Sequence, residues 1–266
     1  ETKNNENRIA LTPDKVEILT QANHKVLIEE SAGINSGFTN EEYNNAGASI
    51  LPNPKEIYLN SNLIVKVKEP QPSEYEYLNK KTIMFCYLHL ASNLELTKQL
   101  IKKNVTSIAY ETIVNPNGKL NLLYPMSEIA GKMAALNAAQ LLTNKSGGQG
   151  KLLSGVVGTL KAKILIIGCG TVGTNAALLA NNMGADVTVS DINLTALSKI
   201  QELSNGQIKT IYSSPSNIKE IIVSSDVVIG AVLIPGYKAP KVVTSDMINK
   251  MKKNSVIIDV AIDQGG

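Results

Sequence analysis

Arginine is almost absent from this chain of 266 residues, in which Arg8 is the single arginine among 26 basic residues. The net charge is only +3 and the lysines are spread along the chain, so no stretch resembles a nucleic-acid-binding stripe. The longest apolar runs, such as ILIIG and VVIGAVLI, are far shorter than the roughly 20 residues of a membrane helix. We therefore expect neither nucleic acid nor membrane as a partner.

Cysteine and histidine are also scarce, with two of each. Cys86 and Cys169 lie far apart and form no CxxC motif, which fits a reducing cytoplasm better than a disulfide framework. No metal site is predicted. The chain lacks an initiator methionine and stops at AIDQGG directly after a strong strand pattern, so we expect it to be part of a longer protein.

The lone arginine lies in the Asn-rich segment TKNNENRIALTP, residues 2–13, just ahead of a helical pattern. One interpretation is an accident of a lysine-biased composition. The other is that Arg8 supplies a planar fork that binds a carboxylate or phosphate through two parallel hydrogen bonds, which an ammonium cannot do. The residues alone leave both interpretations open.

Strands and helices alternate along the chain at crossover spacing, which predicts an α/β protein with two Rossmann-like domains and mainly parallel sheets. We predict a substrate-binding and catalytic domain at 1–125 and a doubly wound dinucleotide-binding domain at 126–266. The second domain has five predicted strands with helical patterns between them. These strands are 162–168, 186–191, 208–213, 225–232 and 255–261.

A G-x-G-x-x-G motif follows the first of these strands, at Gly168, Gly170 and Gly173. Asp191 ends the next strand, at the spacing that a dinucleotide fingerprint requires. The glycines permit the tight turn, the approach of the pyrophosphate and close helix packing, while the helix N-terminus attracts phosphate. Asp191 would bind the adenosine ribose and repel a 2′-phosphate, which favours NAD over NADP. The alternative is a ligand-free glycine turn.

Three polar side chains follow apolar strands at the carboxyl end, where sites gather in α/β folds. They are Lys68 in VKVKEP, His89 in LHLA and Asp263 in VAIDQGG. Purely structural interpretations also exist. Lys66 and Lys68 could lie on one face of a half-solvated strand, and His89 could be a hydrogen-bonded core residue. Together with Arg8, however, this set is coherent for a carboxylate substrate.

The sequence resembles the alanine dehydrogenase family over essentially its whole length. The resemblance rests on TKNNENRIALTP, AGINSGF, VKVKEP, LHLA, TSIAYET, PMSEIAG, IGCGTVG, SDIN, IGAVLIPGYKAPK and IDVAIDQGG. It implies NAD-dependent, reversible oxidative deamination of L-alanine to pyruvate and ammonium, in a cytoplasmic homo-oligomer that tends to be a hexamer in this family.

The resemblance also implies roles for individual residues. Arg8 and Lys68 would bind the substrate carboxylate, and His89 would be the general acid/base that serves the attacking water and the collapsing carbinolamine. Asp263 would orient that water or the departing ammonia. The residues expected to contact NAD are Ser127, Gly168, Gly170, Thr171, Val172, Gly173, Asp191, Ser213, Val232, Leu233, Val260, Ala261, Ile262 and Asp263.

Two features depart from the family pattern. Ala196 stands where relatives can place a lysine, and the glycine-rich linker reads GVVG at residues 155–158, where a proline is usual.

Two other functions stay open. The first alternative is the NAD(H)-binding part of a proton-translocating transhydrogenase, which is not expected to carry His89. The second is a non-catalytic NAD-binding relative, which would have no reason to keep Arg8, Lys68, His89 and Asp263 together.

Overall fold

The computed structural model describes residues 1–234 and 239–262. It divides into two compact units, the first Glu1–Ile113 and the second beginning at Val114. Every strand pair in the described part is parallel, which confirms the predicted α/β class with parallel sheets. Within those residues, no helix combines the length and the apolar character that a membrane crossing requires.

The first unit alternates short strands and helices. Its elements are α1 (Pro13–Gln21), β1 (Leu27–Glu29), α2 (Asn40–Asn45), β2 (Ser49–Leu51), α3 (Pro54–Asn60), β3 (Leu63–Lys68), β4 (Ile83–Tyr87), α4 (Leu94–Lys102) and β5 (Thr106–Ala109). Pro13 begins α1 because its fixed φ suits the first helical position. The helical pattern predicted after the Arg8 segment is α1, and the apolar strands predicted before Lys68 and His89 are β3 and β4.

Strands β3, β4 and β5 form a three-stranded sheet in that order, while β1 and β2 pair separately. The register places Lys68 opposite Tyr87, so the carboxyl ends of β3 and β4 lie side by side. The apolar side chains of this sheet, including Ile64, Met84 and Cys86, pack with Leu96 and Leu100 of α4 into one core. That core fixes the strand ends from which the predicted polar side chains project.

Lys66 is not half-solvated, contrary to one interpretation of the alternating pattern. It is buried at 7% exposure, and its ammonium lies 2.5 and 2.6 Å from the two carboxylate oxygens of Glu74. The Tyr58 hydroxyl donates to the same carboxylate at 3.1 Å. Burial opposes ionisation of Glu74, but the charge and hydrogen bond of Lys66, with hydrogen bonds from Thr2 and Gln71, outweigh it and hold the Glu74 pKa below its ordinary value. Lys66 is therefore part of a buried polar network.

The second unit contains a doubly wound sheet. Its elements are α5 (Tyr124–Leu141), β6 (Lys163–Ile167), α6 (Thr171–Asn182), β7 (Asp186–Asp191), α7 (Leu194–Leu203), β8 (Lys209–Tyr212), α8 (Pro215–Ile222), β9 (Val227–Gly230), α9 (Ser245–Ile248) and β10 (Val256–Asp259). All five predicted strands are present, in the order β10-β9-β6-β7-β8. The order reverses between β6 and β9, and ligands bind at such a switch point in open α/β sheets.

Helix α5 packs closely on α6 through small residues. Ala134, Ala135 and Ala138 of α5 share a core with Ala176 and Ala177 of α6. A Cβ added at Gly131 would lie 2.3 Å from the Val172 carbonyl oxygen, so only glycine permits this approach. The close packing holds α5 beside the start of α6, where the glycine motif lies.

A buried carboxylate joins the connection between α5 and β6 to the sheet. Asp226, just before β9, is 1% exposed and accepts from the ammonium groups of Lys151 and Lys252, both at 2.7 Å. It also accepts from the Lys163 backbone N–H at 2.8 Å. Burial opposes ionisation of Asp226, but the hydrogen bonds from Lys151, Lys163 and Lys252 outweigh it and hold its pKa below the ordinary value.

Candidate active site

The glycine motif forms the tight turn between β6 and α6. Gly168 has φ +103°, and a Cβ there would lie 2.7 Å from the Ala231 carbonyl oxygen. A Cβ at Gly173 would lie 1.8 Å from the Gly168 carbonyl oxygen. By contrast, a Cβ at Gly170 would meet no atom within 4 Å. Gly168 and Gly173 are thus required by the turn itself, while Gly170 leaves its side of the loop open to a ligand.

Asp191 ends β7 and holds the glycine turn. Its Oδ2 accepts from the Cys169 N–H at 2.5 Å, and its Oδ1 accepts from the Asn193 N–H at 2.8 Å. The Ser213 N–H donates to the backbone carbonyl of Asp191 at 3.0 Å. The carboxylate predicted to bind ribose therefore lies directly beside the loop predicted to bind phosphate. Cys169 is buried, and its burial raises the pKa of its thiol, as expected of a small packing residue.

A cavity of about 920 Å³ opens along this edge of the sheet. It is large enough for a cofactor-sized molecule. Nine of the residues predicted to contact the cofactor line it: Ser127, Gly168, Gly170, Thr171, Val172, Asp191, Ser213, Val232 and Leu233. Lys199 lines it too, whereas Ala196 does not. The nine predicted residues that line the cavity thus come from positions between Ser127 and Leu233.

Four of the predicted residues that the structure describes do not line this cavity, namely Gly173, Val260, Ala261 and Ile262. Gly173 packs beneath the turn. Val260 follows β10, and its N–H donates to the Gly230 carbonyl at the end of β9 at 2.9 Å. Ala261 donates its N–H to Asp259 Oδ1 at 3.0 Å, and Ile262 is exposed. Asp263 lies outside the described residues.

In the first unit, Arg8 forms the planar two-point contact that the sequence suggested, and its partner is Glu6. Arg8 Nε lies 2.8 Å from Glu6 Oε1, and Nη2 lies 2.6 Å from Oε2. The Arg8 side chain is 50% exposed, while that of Glu6 is only 8% exposed. Hydrogen bonding to Arg8 lowers the pKa of Glu6 although its burial opposes this, and the charge of Lys68 lowers it further.

Lys68, Tyr87 and His89 meet beside Arg8 at the carboxyl ends of β3 and β4. Lys68 pairs with Tyr87 in the strand register, and the rings of Tyr87 and His89 are stacked with centroids 6.1 Å apart. Burial raises the pKa of Tyr87, and the charge of Arg8 partly offsets this. We call Arg8, Lys68, Tyr87 and His89 the strand-end cluster. It brings together two basic side chains and an imidazole at one edge of the sheet.

Two carboxylates of this region were not predicted from the sequence. Glu6 binds Arg8, and Glu111, which follows β5, accepts from the His89 N–H at 2.7 Å. A signal was present for Glu111, because it stands just beyond a strand end like Lys68 and His89. Glu6 is only two residues from Arg8 in an Asn-rich turn, and its opposite charge was the available clue.

Both units match the domains of one known protein family. Residues 1–130 match the family model described as the alanine dehydrogenase/PNT N-terminal domain, and residues 134–266 match the corresponding C-terminal domain. A protein named alanine dehydrogenase from Bacillus subtilis strain 168 is 52% identical over 266 residues, which is 100% of this chain and 70% of the relative.

Two solved structures show the same likeness. One titled L-alanine dehydrogenase aligns with a TM-score of 0.89 and 44% identity, over 99% of this chain and 73% of that one. A transhydrogenase from Sinorhizobium meliloti aligns with a TM-score of 0.80 and 27% identity, over 100% and 78% of the respective chains.

Proposed function

We propose, since this chain belongs to the alanine dehydrogenase/PNT family, that it carries out NAD-dependent oxidative deamination of L-alanine to pyruvate and ammonium, reversibly. The observation that carries the proposal is the strand-end cluster. It combines the cations that a substrate carboxylate requires with an imidazole able to move a proton near neutral pH. We assign residues 1–125 to substrate binding and catalysis and residues 126–266 to cofactor binding.

The second unit fits NAD by its shape and its charges. The open side of Gly170 and the start of α6 would receive the pyrophosphate, because the first N–H groups of a helix have no partner within it. Asp191 would accept from the ribose hydroxyls, with Ser213 nearby toward the adenine end. Ser127, Thr171 and Val172 would lie along the phosphates, and Val232, Leu233 and Val260 to Asp263 along the nicotinamide. When bound, NAD supplies the hydride acceptor.

Arg8 and Lys68 would hold the substrate carboxylate. The Glu6 carboxylate binds Nε and Nη2 of Arg8 and so orients the guanidinium. The Lys68 ammonium makes no hydrogen bond or ion pair with the residues the structure describes, and its charge reaches Glu6. Two cations holding one carboxylate would fix the orientation of the substrate Cα, which is the main contribution a protein makes to hydride transfer.

His89 would accept the proton from the attacking water and return it when ammonia leaves. Its ring is stacked on that of Tyr87. Asp263 is proposed to orient that water or the departing ammonia. We also propose, as the family leads us to expect, that the protein is a cytoplasmic homo-oligomer, namely a hexamer.

The second candidate function is the NAD(H)-binding part of a transhydrogenase, favoured by the likeness to the Sinorhizobium meliloti structure. The lower identity, 27% against 44% for the structure titled L-alanine dehydrogenase, and the presence of His89 in the strand-end cluster favour the dehydrogenase. A non-catalytic NAD-binding relative would have no need for that cluster.

Initial rates of NADH formation by the purified protein separate these functions. We expect a rate that saturates with L-alanine, and none with D-alanine. Hydride exchange between NADH and an oxidised nicotinamide analogue, without any alanine dependence, would support the transhydrogenase. NAD binding with neither reaction would support the non-catalytic relative.

A further inference from the structure

His89 has an unusual backbone conformation for a residue at the end of a buried strand. Its φ of 49° and ψ of 39° lie in the left-handed region. Seven non-glycine residues of the described part have positive φ, and five of them are asparagine, the residue that tolerates this region best. A histidine in this conformation persists when its surroundings hold it there, and such residues cluster at functional sites.

The Glu111 carboxylate holds the backbone at this point. Its Oε1 accepts from the His89 N–H at 2.7 Å and from the Leu88 N–H at 3.2 Å, and its Oε2 accepts from the Leu88 N–H at 3.3 Å. The paired register of β4 and β5 ends at Cys86 and Ala109. Glu111 thus replaces, with a charged side chain, the backbone acceptor that a longer β5 would provide to these two amides.

The residue before Glu111 supports the same strand end from its side chain. The Tyr110 ring makes edge contacts with Tyr87 at 5.0 Å and with Phe85 at 4.4 Å between centroids. Tyr87 in turn is stacked on His89. The segment Tyr110–Thr112 therefore supports both the ring beside His89 and the backbone that carries His89.

We propose that Glu111 is a positioning residue of the active site. By binding the Leu88 and His89 amides it fixes the left-handed backbone of His89, and so the position of the imidazole within the strand-end cluster. This inference rests on the proposed role of His89. Glu111 itself contacts the backbone, and its effect on the reaction passes through the histidine.

The test uses Glu111→Gln, which preserves the size and one carbonyl oxygen but removes the charge and the second accepting oxygen. The matched control is Glu42→Gln, because Glu42 also accepts from a backbone amide in the same unit, that of Thr39 at 2.6 Å, far from the cluster in sequence. The chain has two histidines, so ¹³C-labelled His24 and His89 give two ring signals that can be followed separately.

We expect Glu111→Gln to move or split the His89 signal, to leave the His24 signal unchanged, and to lower kcat for alanine at least about tenfold, within the range of an acid/base contribution. NAD titration should give an unchanged Kd and stoichiometry. Glu42→Gln should alter neither signal nor kcat. Should Glu111→Gln fail to fold, Glu111→Asp, which keeps the charge on a shorter arm, is expected to show a smaller change of the same kind.

Either a His89 signal at its wild-type position or a kcat within twofold of wild type would overturn the proposal. A reduced NAD stoichiometry that accounts for all of the lost kcat would also overturn it, since Glu111 would then only stabilise the fold. If the wild-type protein does not oxidise alanine, the proposed function fails, while the His89 signal still decides whether Glu111 fixes that residue.

Discussion

Replacing Arg8 by lysine keeps the charge and removes the planar fork. In the structure the fork binds the Glu6 carboxylate through Nε at 2.8 Å and Nη2 at 2.6 Å. A lysine ammonium is a point donor on a flexible stem, so it keeps at most one contact of this kind in a fixed geometry. The same limit applies to a substrate carboxylate, which would be held at one point instead of two.

The magnitude follows from the lost charge-assisted hydrogen bond, worth roughly 1.5–3 kcal/mol. Because the Arg8 side chain is 50% exposed, solvent screening favours the lower end of that range. About 1.5 kcal/mol corresponds to about a tenfold change in an equilibrium constant. We therefore expect the KM for alanine to rise about tenfold, and kcat to fall as well because the Cα position becomes less defined.

Steady-state kinetics of Arg8→Lys, beside NAD titration and a melting curve, measure this effect. NAD affinity and the melting temperature should stay close to wild type. Lys15→Arg is the matched control, since it makes a lysine-to-arginine exchange at an exposed position of the adjoining helix α1. Unchanged alanine kinetics would make Arg8 an accident of composition, and a collapse of the melting temperature would make it a structural residue.

Three further predictions concern other parts of the molecule. His89→Ala should lower kcat by about 10²–10⁴-fold with NAD affinity nearly intact, and a loss under about tenfold would remove His89 from the mechanism. Asp191→Gly should relax the preference for NAD, and an unchanged NAD-to-NADP ratio of kcat/KM would refute the ribose assignment. Asp226→Asn should lower the free energy of unfolding by about 1.5–3 kcal/mol at neutral pH. Because the pKa of Asp226 is lowered in the folded state, the difference in unfolding free energy between wild type and Asp226→Asn should be present above the unfolded pKa of Asp226 and vanish as pH falls through the folded value. Denaturant titrations of both proteins across acidic pH measure this difference. A difference that does not depend on pH would contradict the prediction.

The second unit could be predicted from sequence because its signals are local. Each strand is a short apolar run bounded by polar or glycine residues, and the glycine motif has a fixed spacing to Asp191. In the first unit, α2, β2 and α3 were not predicted from the sequence. Helix α2 has the sequence NEEYNN with Tyr43 as its one buried residue, so no apolar period marks it. Helix α3 did carry a start signal, Asn53 followed by Pro54.

The polar residues of the first unit show a second limit. Lys66 alternates with apolar residues and so predicts a solvated face, but Glu74 neutralises it in the core. Glu6 and Glu111 resemble ordinary surface acids, since their roles depend on partners that only the fold supplies. Local pattern pointed to the residues that we propose face a ligand, whereas the carboxylates that hold Arg8 and the His89 backbone required the structure.

The reaction of L-alanine deuterated at Cα with NAD tests the central claim most directly. We predict that the NADH formed carries one deuterium, by mass spectrometry, and that pyruvate and ammonium accumulate in amounts equal to it. NADH without deuterium, or the absence of alanine-dependent NADH from a folded protein that binds NAD, would contradict direct hydride transfer from alanine to NAD.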